Sequence, residues 1–280
     1  MSDMKKYLSV LFFWMISPVF GQQAAHEFSF YAGGGPSLLQ YNAGSSFNAG
    51  GLAGLGYRYY FSQRWSVGSG AEFEVYHSRI SLDRLSGSSD ARDAEGSPFE
   101  FRYEAQKYQE SQRAFYLAVP LNIQFETGHS NTSWYMNMGG KVAYNIQARY
   151  QAEIPSLVTT GYYPEWNVEL ADPAFMGFGQ WTDRRSGKND FTTKTAFLLS
   201  GETGIKRHNG FLTYIGAYAD YGLNNILKAG ERSAVILYMT DTPTRFSYQS
   251  VANSLNGDGS PWARKLNLVS FGIKLRFALN

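Results

Sequence analysis

The residues able to do acid, base or nucleophile chemistry are few. The chain has no cysteine and four histidines, His26, His77, His129 and His208. His77-Ser78, at the outer end of a strand, is the place where a base and a nucleophile sit together near a rim. A hydrolase needs its base within hydrogen-bond reach of the serine and a third group to orient that base. Neighbours on an extended strand point to opposite faces, so in a strand these two cannot act as a pair. Asp83, Asp90, Asp93 and Glu95 offer the hard oxygens that calcium takes, but without the D-x-D-x-D-G spacing, and they read as a solvated loop. Gly33-Gly34-Gly35-Pro36 lacks the strand-to-helix context of a phosphate loop, and close packing against a large neighbouring side chain explains it better. No catalytic, cofactor or metal site is expected, and a net charge of +2 argues against nucleic acid as a partner.

The chemistry that does recur is charge spaced at alternate positions inside apolar segments. In Trp65–Tyr76 the odd positions include Trp65, Val67, Phe73 and Val75, whereas the even ones include Gly68, Glu72 and Glu74. A period of two is a strand signature. The same pattern runs through Ala114–Glu126, Trp134–Gln147, Phe197–Lys206, Phe211–Asn224 and Leu268–Phe277. Two weaker, glycine-rich segments, Glu27–Gln40 and Asn48–Phe61, precede them and bring the expected count to eight strands.

The connections alternate in length. Ser62-Gln63-Arg64, Gly128–Thr132 and His208-Asn209-Gly210 are tight turns, while the intervening gaps, about 41–47, 83–98, 153–190 and 225–263, are long. Short turns at one rim and long loops at the other mark an antiparallel transmembrane β-barrel with short periplasmic turns and long extracellular loops. A β-sandwich has no reason to segregate loop length in this way. Ahead of the strands, Lys5-Lys6, the apolar run Tyr7–Ile16 and the break at Ser17-Pro18 lay out a secretory signal peptide, residues 1–21, leaving 22–280 as one barrel domain. Without cysteine no lipid anchor or disulfide is expected. A composition of 16% aromatics and 29 glycines, with a mean hydropathy of −0.32 and no run of about 18 apolar residues, suits alternating lipid-facing strands better than a transmembrane helix.

A secreted lipocalin-type barrel would also alternate, with its apolar face inward. The charges separate the two. With the apolar face outward, the lumen collects Arg58, Glu72, Glu74, Glu126, Lys141, Arg149, Glu202, Lys206, Asp220, Lys274 and Arg276. These five acids and six bases nearly cancel, as charges must if they are to pair in a lumen about as wide as the side chains that fill it. Tyr57, Tyr59, Phe61, Trp65, Phe125, Trp134 and Phe277 gather near the turns as an aromatic girdle.

Three segments carry a resemblance. Gln112-Arg113-Ala114-Phe115-Tyr116-Leu117-Ala118-Val119-Pro120-Leu121-Asn122-Ile123-Gln124-Phe125 resembles the "Y-L-x-I-P-L" strand of PorT-type, OmpA-like outer-membrane barrels of Bacteroidota. Trp134–Lys141 resembles the glycine-bearing strand that follows it there, and Asp220-Tyr221-Gly222-Leu223-Asn224-Asn225-Ile226 is similar to that family's "Y-G-L-x-N-I" strand end. The resemblance implies that Pro120 is tolerated at a bulge or kink. Ser270, Gly272, Leu275 and Phe277 resemble the C-terminal signal read by the barrel-assembly machinery, although the chain continues Ala278-Leu279-Asn280 past the aromatic residue. Such barrels serve variously as anchors and as subunits of secretion or assembly complexes. The chain is expected to lack an attached peptidoglycan-binding domain.

The expected function is therefore a non-enzymatic outer-membrane barrel, either an accessory or scaffold subunit or a small structural barrel. A narrow pore is the alternative, disfavoured by a lumen filled with paired charges and by Tyr116, Tyr135, Tyr214 and Tyr218. A lipid A-modifying enzyme fails on the His77-Ser78 geometry. Expected partners are outer-membrane lipid and lipopolysaccharide, the assembly machinery during insertion, and other outer-membrane proteins. The region 153–190 carries Tyr162, Tyr163, Trp166, Phe175, Phe178 and Trp181, too aromatic for a disordered loop. Together with Val235-Ile236-Leu237-Tyr238-Met239 it forms either a protein-contact surface or a self-packed cap.

Overall fold

The computed structural model describes residues 26–41, 45–128, 131–209, 211–228 and 233–279. The expected signal peptide, residues 42–44 of the first loop, His129 in the second turn and Gly210 in the third lie outside them. Eight long strands make the wall: β1 His26–Tyr41, β2 Ser45–Tyr60, β3 Trp65–Arg92, β4 Pro98–Glu126, β5 Thr132–Tyr163, β6 Ala196–Asn209, β7 Phe211–Gly222 and β8 Leu266–Leu279. Each pairs antiparallel with its neighbour in the chain, and β8 returns to β1, so the sheet closes. Closure leaves no unpaired edge in the ring, which a lipid-facing sheet requires.

Alternation sorts the two faces. Leu55, Leu121, Met138, Ile146, Ile215 and Ile273 stand exposed on the outside of the ring. Tyr31, Glu72, Tyr135, Glu202 and Arg276 are buried inside it. At the turn end the belt finishes in aromatics, with Trp65 against Phe125 at 5.0 Å between ring centroids and Phe30 against Phe277 at 5.4 Å.

β3, β4 and β5 are 28, 29 and 32 residues long, about three times the roughly 9–11 residues a tilted strand needs to cross a bilayer. The gaps expected at 83–98 and 153–190 are therefore largely strand, and a three-stranded wall rises past the belt. The excess survives in water because it carries its own core. Phe99, Phe101, Leu85 and Leu157 on the inner face of the wall are buried against Val235, Ile236, Phe246 and Val251 from the β7–β8 connection. The upper edge of β5, beyond its pairing with β6, is covered by short strands folding back on it: Val168–Leu170, Gly179–Arg185 and Asn189–Phe191.

Two register features decide which side chains face in. Between Phe115↔Gln147 and Tyr116↔Asn145, β5 carries one extra residue, Ile146. A one-residue bulge inverts facing beyond it. Higher up, Asp83, Lys107 and Pro155 lie level across β3, β4 and β5, at points where ladder pairs are missing. Lys107 takes a left-handed φ of 58° there, and the buried positions on β4 change from even to odd. Pro120, by contrast, sits at no bulge. The β3–β4 register is the same on both sides of it, and the Ser69 hydroxyl donates to its carbonyl at 2.8 Å. The sheet absorbs the missing N–H by skipping ladder pairs without shifting.

Candidate functional site

The lumen holds ten of the eleven charged residues expected there. Lys141 on β5 is at its centre. Its ammonium lies 2.6 Å from Glu72 Oε1, 2.9 Å from Glu74 Oε1 and 2.9 Å from Asp220 Oδ2. The three carboxylates come within 4.8 Å of one another, a spacing a divalent cation could use, but the lysine already fills the centre. Nearer the turn end Lys274 meets Glu202 at 2.8 Å and Lys206 meets Glu126 at 2.8 Å. Arg276 donates to Gln124 and lies over the Tyr214 ring, 3.8 Å from its centroid. Arg58 donates to Ser66 and Asn122.

Arg149 is the exception. It lies beyond the Ile146 bulge, so its side chain leaves the wall outward and pairs with Asp190 at 3.2 Å in solvent. Strict alternation through Gln147 misplaced it. Conversely, the lumen contains Glu27, which the charge inventory omitted. Its Oε2 accepts from Tyr60 at 3.0 Å and Tyr214 at 2.5 Å. The alternation of Glu27 with Phe28 and Phe30 was the signal that could have found it. Among the described residues the lumen therefore carries six acids and five bases.

Tyrosines occupy the space between the ion pairs. Tyr135 donates to Glu202 at 2.6 Å, Tyr31 to Glu72 at 3.2 Å, and Tyr116 shares a hydrogen with Thr193 at 2.7 Å. What is left is a polar cavity of about 40 Å³ lined by Arg58, Asn122, Asn137, Lys141, Glu202 and Arg276 among others. That is room for water. With every lumen ammonium facing a carboxylate and rings packed between them, the interior can brace the wall.

The glycines of the strands are seams. A Cβ on Gly272 would come 2.2 Å from the carbonyl oxygen of Gly34, and one on Gly35 2.2 Å from that of Phe271, so β1 and β8 close only because both lack side chains. Gly33 does face large side chains, with its Cβ position 3.3 Å from Tyr218. Of the expected assembly signal, Ser270 turns inward toward Asp220, Gly272 is in the seam, and Leu275 and Phe277 face out. The segment Asn224-Asn225-Ile226, just after β7, ties off the barrel top. Asn224 accepts from the Phe197 N–H, Asn225 from the Leu266 N–H, and Ile226 N–H donates to the Leu266 carbonyl.

In the cap, a second buried carboxylate escaped the sequence reading. Glu110 on β4 is wholly buried above the belt and, among the described residues, meets no cation. Its Oε1 accepts from Ser250 at 2.6 Å and Gln112 at 2.5 Å, and its Oε2 from Tyr108 at 2.6 Å and the Val251 N–H at 3.0 Å. Burial pushes the carboxyl above its ordinary value while these hydrogen bonds pull the other way. Four donors on one carboxylate clasp the β7–β8 connection to the wall.

The six aromatics of 153–190 divide. Phe178 and Tyr163 are buried, Phe178 against Phe99 at 5.5 Å, and Trp181 packs on Phe246 at 5.5 Å. Tyr162 lies under the Arg102 guanidinium at 4.4 Å. Trp166 and Phe175 remain 58% and 72% exposed. Tyr238 joins the packed side, so this half of the loop pair is a self-packed cap.

The acid–base candidates are not assembled. His77 faces outward, whereas the Ser78 hydroxyl turns inward and donates to the Leu39 carbonyl at 3.3 Å. Asp93 organises the β3–β4 turn by accepting from the Glu95 and Ser97 N–H groups, while Asp83 and Asp90 are exposed on the wall.

Among solved structures, the attachment invasion locus protein Ail of Yersinia pestis, crystallised with the heparin analogue sucrose octasulfate, is 10% identical, with 91% of this chain and 99% of Ail covered and a TM-score of 0.32. Neisserial surface protein A is 9% identical, with 91% of this chain and 98% of that one covered and a TM-score of 0.32. No curated protein matches the chain in sequence. Residues 20–228, most of the chain, match the family described as outer membrane protein beta-barrel domain, and with a closed eight-stranded ring and an apolar belt the chain belongs to that family and to the outer membrane.

Proposed function

We propose that this protein is a non-enzymatic scaffold or accessory subunit, a closed barrel that presents its extracellular cap to another outer-membrane protein. The observation that carries the reading is the exposure of Trp166 and Phe175 on a cap whose other aromatics are packed. Exposed large aromatics are frequent anchors of a protein interface. The PorT-like segments Gln112–Phe125 and Asp220–Ile226 favour a role beside secretion or assembly complexes, with export through a cleaved signal peptide at 1–21. The separation of His77 from Ser78 weighs against lipid-modifying chemistry, and the filled lumen against a pore.

The test is a mild-detergent pull-down of the tagged protein from its native outer membrane, with and without Trp166→Ala/Phe175→Ala. A stoichiometric partner lost from the folded double variant supports the scaffold role. A clean wild-type monomer removes it and leaves a free-standing structural barrel. Steady single-channel conductance in a planar bilayer would restore the pore.

A further inference from the structure

Immediately above the apolar belt, the outer wall carries a row of cations. Strand pairing sets His77 on β3 beside Arg113 on β4, and Arg113 beside Arg149 on β5. Arg79 stands on the same face two residues above His77, paired with Ser111. Arg79, Arg113 and Arg149 are exposed and His77 is half-buried. Directly opposite neighbours in such a sheet are about 5 Å apart and diagonal ones about 7–8 Å, so like charges here repel. Burial, and then the charges of Arg113 and Arg79, shift the His77 imidazole toward its neutral form.

Little within the protein relieves this repulsion. Asp190 takes Arg149 at 3.2 Å, but among the described residues neither Arg79 nor Arg113 meets a carboxylate. Farther up the same wall Arg84 is partnered with Glu104 at 2.8 Å and Arg102 with Glu100 at 2.6 Å. Lys107 and Arg92, also farther up, lack a carboxylate partner among the described residues too, but they stand singly, whereas Arg79 and Arg113 are clustered where the wall leaves the lipid. Just below them Val75 pairs with Phe115, and Phe115 stacks on Phe73 at 5.9 Å, so an apolar strip continuous with the belt leads down from the row.

We propose that Arg79 and Arg113, with His77 between them, bind the phosphate of an outer-leaflet lipid headgroup whose acyl chains lie along Phe73 and Phe115. A guanidinium matches phosphate with a two-point fork, and two on adjacent strands can hold one phosphate between them. The continuity with the belt selects a lipid as the occupant over a soluble anion. This site is independent of whether the cap has a protein partner.

The test is native mass spectrometry of the folded protein in an uncharged detergent. It is titrated with diphosphoryl lipid A, with the same lipid stripped of its phosphates, and with inorganic phosphate. Diphosphoryl lipid A should be retained about tenfold better than the stripped form, given the attraction of basic side chains to anionic lipid. Arg79→Gln/Arg113→Gln should abolish that preference and Arg84→Gln should keep it, with heat-dependent gel migration reporting folding. If the double variant does not fold, the single exposed change Arg113→Gln carries the test. Equal retention of both lipids by the wild type, or an unchanged preference in the variant, overturns the proposal. So does displacement of lipid A by equimolar inorganic phosphate, which would make the row a site for the free anion.

Discussion

Lys141 on β5 and Asp220 on β7 meet at 2.9 Å, with β6 between their strands. The contact spans the lumen instead of following the ladder, and the same ammonium holds Glu72 and Glu74 on β3. One side chain thus braces three parts of the wall. Lys141→Met should leave three buried carboxylates without a counter-charge, a change that typically costs roughly 3–5 kcal/mol. Urea unfolding followed by the gel shift of the folded barrel measures it. Lys141→Met/Glu74→Gln should recover part of the loss, since one orphaned charge is gone. Arg84→Gln, at an exposed pair with Glu104, should leave the midpoint unchanged. Equal effects at the two sites would mean that the lumen network does not brace the barrel.

Gly272 and Phe277 share a strand and a resemblance to the assembly signal, yet the structure gives them different work. A side chain at Gly272 would collide with the Gly34 carbonyl in the β1–β8 seam, whereas Phe277 lies on the surface against Phe30. Gly272→Ala should therefore impair closure even when the purified chain refolds into detergent micelles without any assembly factor. Phe277→Ser should refold there nearly as well as the wild type and lose yield only in cells. Efficient refolding of Gly272→Ala would show that the seam can open to admit the methyl group.

What was legible in the sequence follows from where alternation holds. Through the belt one face is lipid and the other is lumen, so Trp65–Tyr76 declares itself within a dozen residues. At Asp83, Lys107 and Pro155 the inward parity changes on three strands at one level, and a period-two reading stops there and sees loops. The single extra residue at Ile146 had the same effect on Arg149. Glu110 gave no local sign at all. Its partners Ser250 and Val251 are 140 and 141 residues away, and only tertiary packing brings them to it.

Glu110 also gives the cap a pH dependence whose sign is fixed. Burial is the largest influence on its carboxyl and raises it, so across the window above the ordinary value of 4.5 the folded cap binds more protons than the detached one. Stability of cap docking is then full at acidic pH and falls as pH rises through that window, levelling off above the raised value. Hydrogen exchange at the Val251 and Ala252 amides, corrected for the intrinsic pH dependence of exchange, should show protection that decreases from acidic to neutral pH. In Glu110→Gln that slope should vanish. Protection should also be lower in the acidic range, because an amide nitrogen, unlike the hydroxyl oxygen of the protonated carboxyl, cannot accept from the donors it faces, at about 1–3 kcal/mol for a buried group left unsatisfied. Protection that instead rises with pH in the wild type would mean that the four hydrogen bonds outweigh burial, and that the clasp is strongest when Glu110 is ionised.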